Sequence, residues 1–206
     1  DFLYPLASDS TLEQYYKETP EGDFTPELEQ CRTELWSVLH PYQMKLIRMS
    51  PAAFIHFGTT KELRELMTER MDEFYYLGWT SNINTNREEA DFAASNSYVS
   101  PNAEIGKGSY LEDCMIRNKS QIGEECVISG VTLDGQTIPA HTVLHGLKQQ
   151  NGKFVVRMYG VSDNPKEALL FGKTLPMPLW EVAIYPVCDS MEEAVHQTLE
   201  AWREGF

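Results

Sequence analysis

Residues 99–147 read VSPNAEIGKGSYLEDCMIRNKSQIGEECVISGVTLDGQTIPAHTVLHGL and carry a short repeat. An aliphatic side chain recurs in steps of 6, 6, 5, 6, 6, 5, 5 and 6 residues, at Val99, Ile105, Leu111, Ile116, Ile122, Ile128, Leu133, Ile138 and Leu144. A small or slim residue stands four positions after most of them, with Met115 as the large exception: Ala103, Ser109, Ser120, Cys126, Thr132, Thr137 and Thr142. This period predicts a stack of very short parallel strands with the aliphatic side chains pointing inward.

The repeat resembles the hexapeptide pattern of the left-handed parallel β-helix, in which three hexads close one triangular turn. We take the handedness from this resemblance, because parallel crossovers are otherwise right-handed. About two and a half turns fall short of the roughly three repeats that such a stack needs for stability, so the remaining chain should cap its ends. The alternative is a set of antiparallel strands with turns at Ser129-Gly130 and Asp134-Gly135.

Composition narrows the classes of function. The chain has 206 residues and a net charge of −14, which disfavours binding to nucleic acid or to an anionic membrane. It contains neither an apolar run long enough to span a membrane nor the features of a signal peptide at its start. Four widely spaced cysteines are typical of free thiols in a reducing cytoplasm. Because the first residue is not methionine, we expect a piece of a longer protein.

The stretch before the repeat predicts a mixed α and β region. Helices should begin at a capping box over Ser10–Glu13, at Thr25-Pro26 and at a second capping box over Thr59–Glu62. Residues 42–49 and 53–57 are predicted to be strands. A strand, a tight turn and a helix in succession are typical of an α/β domain. We therefore assign residues 1–80 to the end of an α/β domain, 81–98 to a connector and 99–147 to the coil.

Residues 148–206 should form a hairpin, a strand and a capping helix. Asn151-Gly152 predicts a hairpin turn joining residues 142–148 to residues 154–159. Asn164-Pro165 predicts another helix start, and residues 180–187 alternate like a strand. A last capping box at Ser190 opens a helix that should lie along a face or at the open end of the coil and so cap it.

Longer motifs point to a family. FIHFGTTKEL (54–63) resembles the closing strand and turn of sugar-nucleotide pyrophosphorylases. The chain is more specifically similar to fucose-1-phosphate guanylyltransferases, a family often fused to an L-fucose kinase in bacteria and plants. This resemblance runs from about Phe2 to Ala201. The segments that carry it are PNAEIGKGSYLEDCMI (101–116), IPAHTVLHGL (138–147), MYGVSDNPK (158–166) and PLWEVAIYPVC (178–188).

The resemblance implies an α/β nucleotidyltransferase domain followed by a left-handed β-helix. It further implies GTP and L-fucose 1-phosphate as substrates, GDP-L-fucose as product and Mg²⁺ as cofactor of the parent enzyme. The chain departs from that family because it has neither a Gly-Gly dipeptide nor a Gly-x-x-x-x-Gly-Lys phosphate loop. We therefore expect an inactive fragment that binds no metal, contacts the rest of its parent chain, and has no nucleic-acid or membrane partner. Formation of a homo-oligomer is left open.

Two segments hold the candidate substrate-binding residues. The first should lie at the carboxyl end of a sheet strand, where α/β proteins bind ligands. The second follows a predicted strand and should place a helix N-terminus near an anion. The structural alternative for both is a turn and a helix cap. The candidates are His56, Gly58, Thr59, Lys61, Asp163, Asn164 and Lys166.

His141 and His145 suggest two further hypotheses. A shared metal is disfavoured, because residues four apart on an extended strand are about 13 Å apart. The other hypothesis is a hexapeptide-repeat acyltransferase in which a histidine acts as general base. A non-catalytic oligomerisation domain is the remaining alternative.

Overall fold

A computed structural model describes residues 2–20, 22–45, 47–87 and 91–205. The chain divides after Phe54 into two compact units. The helices are α1 (Leu3–Leu6), α2 (Leu12–Lys17), α3 (Pro26–Leu39), α4 (Thr60–Thr68), a 3₁₀ helix (Met71–Leu77) and α5 (Met191–Glu204). The strands are β1 (Asn82–Ile83), β2 (Ala93–Ser95), β3 (Tyr98–Val99), β4 (Glu104–Ile105), β5 (Tyr110–Glu112), β6 (Met115–Ile116), β7 (Gln121–Ile122), β8 (Val127–Ser129), β9 (Thr132–Leu133), β10 (Thr137–Ile138), β11 (Thr142–Lys148), β12 (Phe154–Gly160), β13 (Leu169–Leu170), β14 (Lys173–Thr174) and β15 (Val187–Cys188).

The second unit is built on a parallel β-solenoid of about three turns. Its three faces are the parallel ladders β2-β5-β8-β11, β3-β6-β9 and β4-β7-β10. The predicted mixed α and β fold with a parallel coil is thus confirmed, whereas its left-handedness stays a prediction. The coil begins before Val99, since β2 and its partner β1 lie in the stretch that we assigned to the connector.

The aliphatic residues of the repeat fill the coil interior. Eight of the nine are buried in one apolar cluster, and Ile105 is partly buried against it. The small corner residues were placed wrongly wherever the step is five. At the step from Leu111 to Ile116, for example, Cys114 points inward and Met115 is 42% exposed. The inward corner residue lies two positions before the next aliphatic residue, so counting four forward from the previous aliphatic residue fails when the intervening loop is one residue shorter.

Helix α5 covers the coil core, as the sequence predicts. Ser190 Oγ accepts a hydrogen bond from the Glu193 N–H at 3.1 Å, which starts the helix as a cap. Ala194, Val195 and Leu199 are buried in the same cluster as the coil interior. The predicted hairpin is also confirmed, because β11 and β12 pair antiparallel across the Asn151-Gly152 turn.

Four other predicted elements are wrong in whole or in part. Residues 42–45, 47–49 and 53–57 form no strand, and Leu46 lies outside the described residues. Ile47 is 82% exposed and Phe54 is 89% exposed, and neither stretch belongs to a strand pair among the described residues. Residues 165–168 form turns and bends in place of a helix. Of the predicted strand 180–187, only Val187 lies in a strand, β15, although Val182 and Ile184 still pack inward.

The first unit packs around a buried arginine. Arg32 on α3 is 1% exposed, and its Nη1 donates to the Tyr15 carbonyl at 2.8 Å and the Glu18 carbonyl at 2.9 Å. The Arg32 guanidinium also lies over the Tyr15 ring, 5.0 Å from its centroid. The capping box of α2 is formed by Thr11 and Gln14, one residue later than predicted.

All four cysteines are free thiols, as the sequence predicts. Burial raises the pKa of Cys114 and of Cys126 to about 11, so both stay protonated at neutral pH. None of the helices formed by the described residues is both long and apolar enough to cross a membrane.

Candidate functional site

The outer face of the solenoid brings the two candidate segments to one apolar surface. Neighbouring strands of the long ladder present an outward row that runs through Ala93, Tyr110, Val127, Val143 and Tyr159. Leu63 and Met67 of α4 pack on this row from one segment, and Val161 and Leu170 pack on it from the other. The segments around His56–Lys61 and Asp163–Lys166 are therefore attached to the same cluster, although they are about 100 residues apart in sequence.

The first segment is organised as a turn and a helix cap. Thr59 and Glu62 form a reciprocal capping box that starts α4. Partial desolvation by itself would raise the pKa of Glu62. Its hydrogen bonds to Thr59 and its contact with His56 outweigh that effect, so the pKa is lowered. His56 is exposed, with Nδ1 3.5 Å from a Glu62 oxygen. Gly58 leaves room for the imidazole, because a Cβ there would meet His56 Cε1 at 2.3 Å.

Lys61 is the cation that the first segment presents to solvent. Its Nζ lies 3.8 Å from a Glu65 oxygen one helical turn away, and its side chain is 57% exposed. Such an exposed pair contributes little to stability and leaves the ammonium accessible to a ligand. Its assignment as a substrate-binding residue stays a prediction.

In the second segment Asp163 acts as a clamp. Its Oδ2 accepts hydrogen bonds from the Gly160 N–H at 2.7 Å and from the Phe171 N–H at 3.0 Å. The carboxylate thereby ties the end of β12 to the β13–β14 hairpin. A Cβ on Gly160 would lie 3.0 Å from that same oxygen, so a side chain there would press on the Asp163 carboxylate. Asp163 thus holds the loop in position, and its assignment as a substrate-binding residue stays a prediction.

Asn164 holds the turn that follows, and Lys166 lies at its surface. The Asn164 side chain accepts from the Lys166 N–H at 3.1 Å and donates to a Glu167 oxygen at 3.1 Å. These bonds close a turn where the sequence predicted the first turn of a helix. Without that helix, the predicted anion site at a helix N-terminus has no structural basis here.

An ion-pair network that the sequence did not indicate links α4 to the coil. Arg64 is 3% exposed, and its Nη1 donates to the Gly108 carbonyl at 3.2 Å. Its Nη2 lies 3.7 Å from a Glu125 oxygen, and the same oxygen lies 3.3 Å from His141 Nδ1. The His141 carbonyl in turn accepts from the Val161 N–H at 2.9 Å. The sequence does not indicate that Arg64 is buried, because arginines are usually exposed and do not contribute to the hydrophobic periodicity of a helix.

His145 belongs to a second, polar row on the same outer face. It pairs across β11 and β12 with Arg157 and lies beside Ser129 of β8. Burial, aided by the charge of Arg157, lowers the pKa of His145 below its ordinary value, whereas Glu112 opposes that shift. His145 is therefore a neutral imidazole at pH 7. Among the described residues, no group of three His, Cys, Asp or Glu side chains is arranged to hold a metal.

Comparison with known proteins identifies the family. A family model described as the fucose pyrophosphorylase domain matches residues 1–183. The chain belongs to the fucose pyrophosphorylase family. This match covers the coil and both candidate segments.

Two named relatives extend the same similarity. The chain is 23% identical to human fucose-1-phosphate guanylyltransferase and 22% identical to the mouse protein of the same name. Each alignment includes 97% of this chain, and the chain spans 40% of the length of each relative. No solved structure matches the chain.

Proposed function

We propose that this chain is the solenoid-bearing part of a cytoplasmic GTP:fucose-1-phosphate guanylyltransferase, which makes GDP-L-fucose. The observation that carries the proposal is the fucose pyrophosphorylase match over residues 1–183, reinforced by two relatives that align with 97% of the chain. The proposal includes a left-handed coil and the assignment of residues 1–80 to the end of the nucleotidyltransferase domain.

The proposed reaction joins two phosphate groups. A phosphate oxygen of L-fucose 1-phosphate forms a bond to the α-phosphorus of GTP, the bond from that phosphorus to the β-phosphate oxygen breaks, and pyrophosphate leaves. Such a transfer depends on positioning and on stabilising phosphate charge. A chain of net charge −14 without a phosphate loop is poorly suited to this task alone. We assign the nucleotide site to residues outside this chain.

Among the described residues, no three His, Cys, Asp or Glu side chains are grouped as a metal site. We assign magnesium chemistry to the remainder of the enzyme, and no step is assigned to it here. Lys61 and Lys166 are the residues of this chain that we propose to reach substrate phosphate, because the segments that carry them pack on the same apolar cluster of the coil.

A docking role for the chain itself has separate support. Apolar side chains of the first unit stay exposed, and Phe2 at 61% and Val38 at 62% line the same mostly apolar groove. Monomeric soluble proteins seldom leave such side chains clustered in water. We infer that these side chains contact the remainder of the enzyme, so that the 206 residues alone are structural and inactive.

The test is pyrophosphate release from GTP and L-fucose 1-phosphate with magnesium. It is run on the 206-residue chain and on a longer reading frame that contains it. We expect release by the longer protein and none by the chain. Release by the chain alone would show that the catalytic centre lies within it. A folded longer protein that releases no pyrophosphate would remove the proposed activity.

A further inference from the structure

A partly open cavity lies between the β13–β14 hairpin, the segment that follows it and helix α5. Its volume is about 300 Å³, which is at the lower end of the range for small-molecule sites. Its walls are mostly apolar, and Leu170, Phe171, Leu175, Ile184 and Trp202 contribute to them. Small-molecule sites are typically concave and apolar, with a few polar groups that orient the ligand.

Phe171 lies in this wall at a conformational cost. The hairpin turns through Phe171 and Gly172, whose φ angles are +48° and +75°. Tight hairpin turns with two positive φ angles strongly prefer asparagine, aspartate or glycine at the first position, because a bulky side chain is strained there. The Phe171 ring packs edge-on against Trp202, with the ring centroids 6.4 Å apart, and this contact offsets part of that cost. The Asp163 carboxylate holds this strained residue by accepting its N–H at 3.0 Å.

Lys173 gives the cavity its charge. It is the only charged residue among the described residues that line the space. Its Nζ lies 3.5 Å from the position that a Cβ on Gly205 would take, beside the end of α5. No carboxylate among the described residues forms an ion pair with it, although the chain has 31 acidic residues against 17 basic ones. An apolar chamber with one cation selects a ligand that is apolar at one end and anionic at the other.

We propose that this cavity binds a small amphipathic anion, with a ring or hydrocarbon body against Phe171 and Trp202 and an anionic group at Lys173. A volume of about 300 Å³ admits a body of one or two rings and excludes a peptide helix. Through Asp163, occupancy would stabilise the turn that carries Asn164 and Lys166. This binding site does not depend on the proposed nucleotidyl transfer, so an experiment can refute one proposal without refuting the other.

The test uses the two-ring naphthalene-1-sulfonate as an anionic probe and naphthalene-1-sulfonamide as its uncharged counterpart, with binding followed by calorimetry. We expect one saturable site for the anionic probe that Lys173→Met weakens roughly tenfold, as expected for loss of a charge-assisted contact. Binding of the uncharged probe should change less than twofold. Lys107→Met, on an exposed coil position, is the matched control and should leave both affinities unchanged.

Filling the cavity supplies the second arm. Leu175→Trp should abolish the saturable site while leaving weak binding to other exposed apolar surfaces. If that variant melts early, Ile184→Phe takes its place. Equal affinity of wild type and Lys173→Met for the anionic probe would overturn the proposal, and so would a saturable site that survives in a folded cavity-filling variant.

Discussion

The buried position of Ile122 tests the coil at the scale of one residue. Ile122 on β7 is 4% exposed inside the solenoid. Replacing it with aspartate buries an unpaired charge, which costs several kcal/mol. We expect Ile122→Asp to unfold the coil in a thermal melt followed by circular dichroism. Gln121→Asp, at the neighbouring exposed position, should melt within a few degrees of wild type. An unchanged melting temperature for Ile122→Asp would contradict the solenoid.

His145 makes stability depend on pH. Its pKa in the folded chain lies below the ordinary 6.5, so the unfolded chain binds the proton more readily. Stability should therefore be complete above about pH 6.5 and fall as the pH drops through that value towards the lowered pKa. In urea titrations at pH 7.5 and 5.5, His145→Gln should lose less stability on acidification than wild type. His196→Gln, at an exposed position on α5, should match wild type. Equal acid sensitivity of His145→Gln and wild type would show that the imidazole is not desolvated.

Helix α5 is the element whose packing closes the coil core. Leu199 is 1% exposed within the coil cluster. Leu199→Ala should destabilise the second unit by about 2–5 kcal/mol, the usual cost of a buried leucine truncation. Gln197→Ala, exposed on the same helix, should change stability by less than about 0.5 kcal/mol. Chemical denaturation followed by far-UV circular dichroism measures both. A loss for Leu199→Ala no larger than that of Gln197→Ala would mean that α5 does not support the coil.

Elements with a strong local signal were predictable, and those that depend on partners were not. The period of the aliphatic residues predicts the strands of the coil because each turn repeats the same inward position. The caps at Thr59 and Ser190 were predicted because a capping box spans only four consecutive residues. The strand predicted over residues 42–49 is absent from their described part, because alternating apolar and polar residues form a strand only when another strand is available to pair. The helix predicted after Asn164 does not form for a related reason: the Asp163 carboxylate binds the Phe171 N–H, a contact between residues eight apart that no local motif indicates.

The candidate site was only partly predictable for the same reason. Sequence motifs indicate the segments around His56 and Asp163 but not that both pack on one face of the coil. That face is set by the register between strands, which places Tyr110 beside Val127 and Val127 beside Val143. Arg64 and Glu125 were missed because their contact joins residues about 60 apart in sequence without any motif.

At the scale of the whole molecule, the chain is a coil with its own apolar core plus a helical unit that leaves apolar side chains in water. The core of the coil is closed by α5. We propose that the exposed apolar side chains of the helical unit contact a further surface in the longer protein. This division agrees with a chain that spans 40% of the length of its relatives. For the same reason, we propose that turnover belongs to the longer protein and not to these 206 residues alone.

The central claim is that this chain belongs to an enzyme that makes GDP-L-fucose. The most direct measurement is nucleotide-sugar formation, followed by chromatography, in a longer protein that contains the chain. GTP and L-fucose 1-phosphate are offered against UTP and D-mannose 1-phosphate as alternative substrates. The account predicts GDP-L-fucose as the dominant product and its loss in the Ile122→Asp protein. A folded protein that forms another nucleotide sugar, or none, would contradict it.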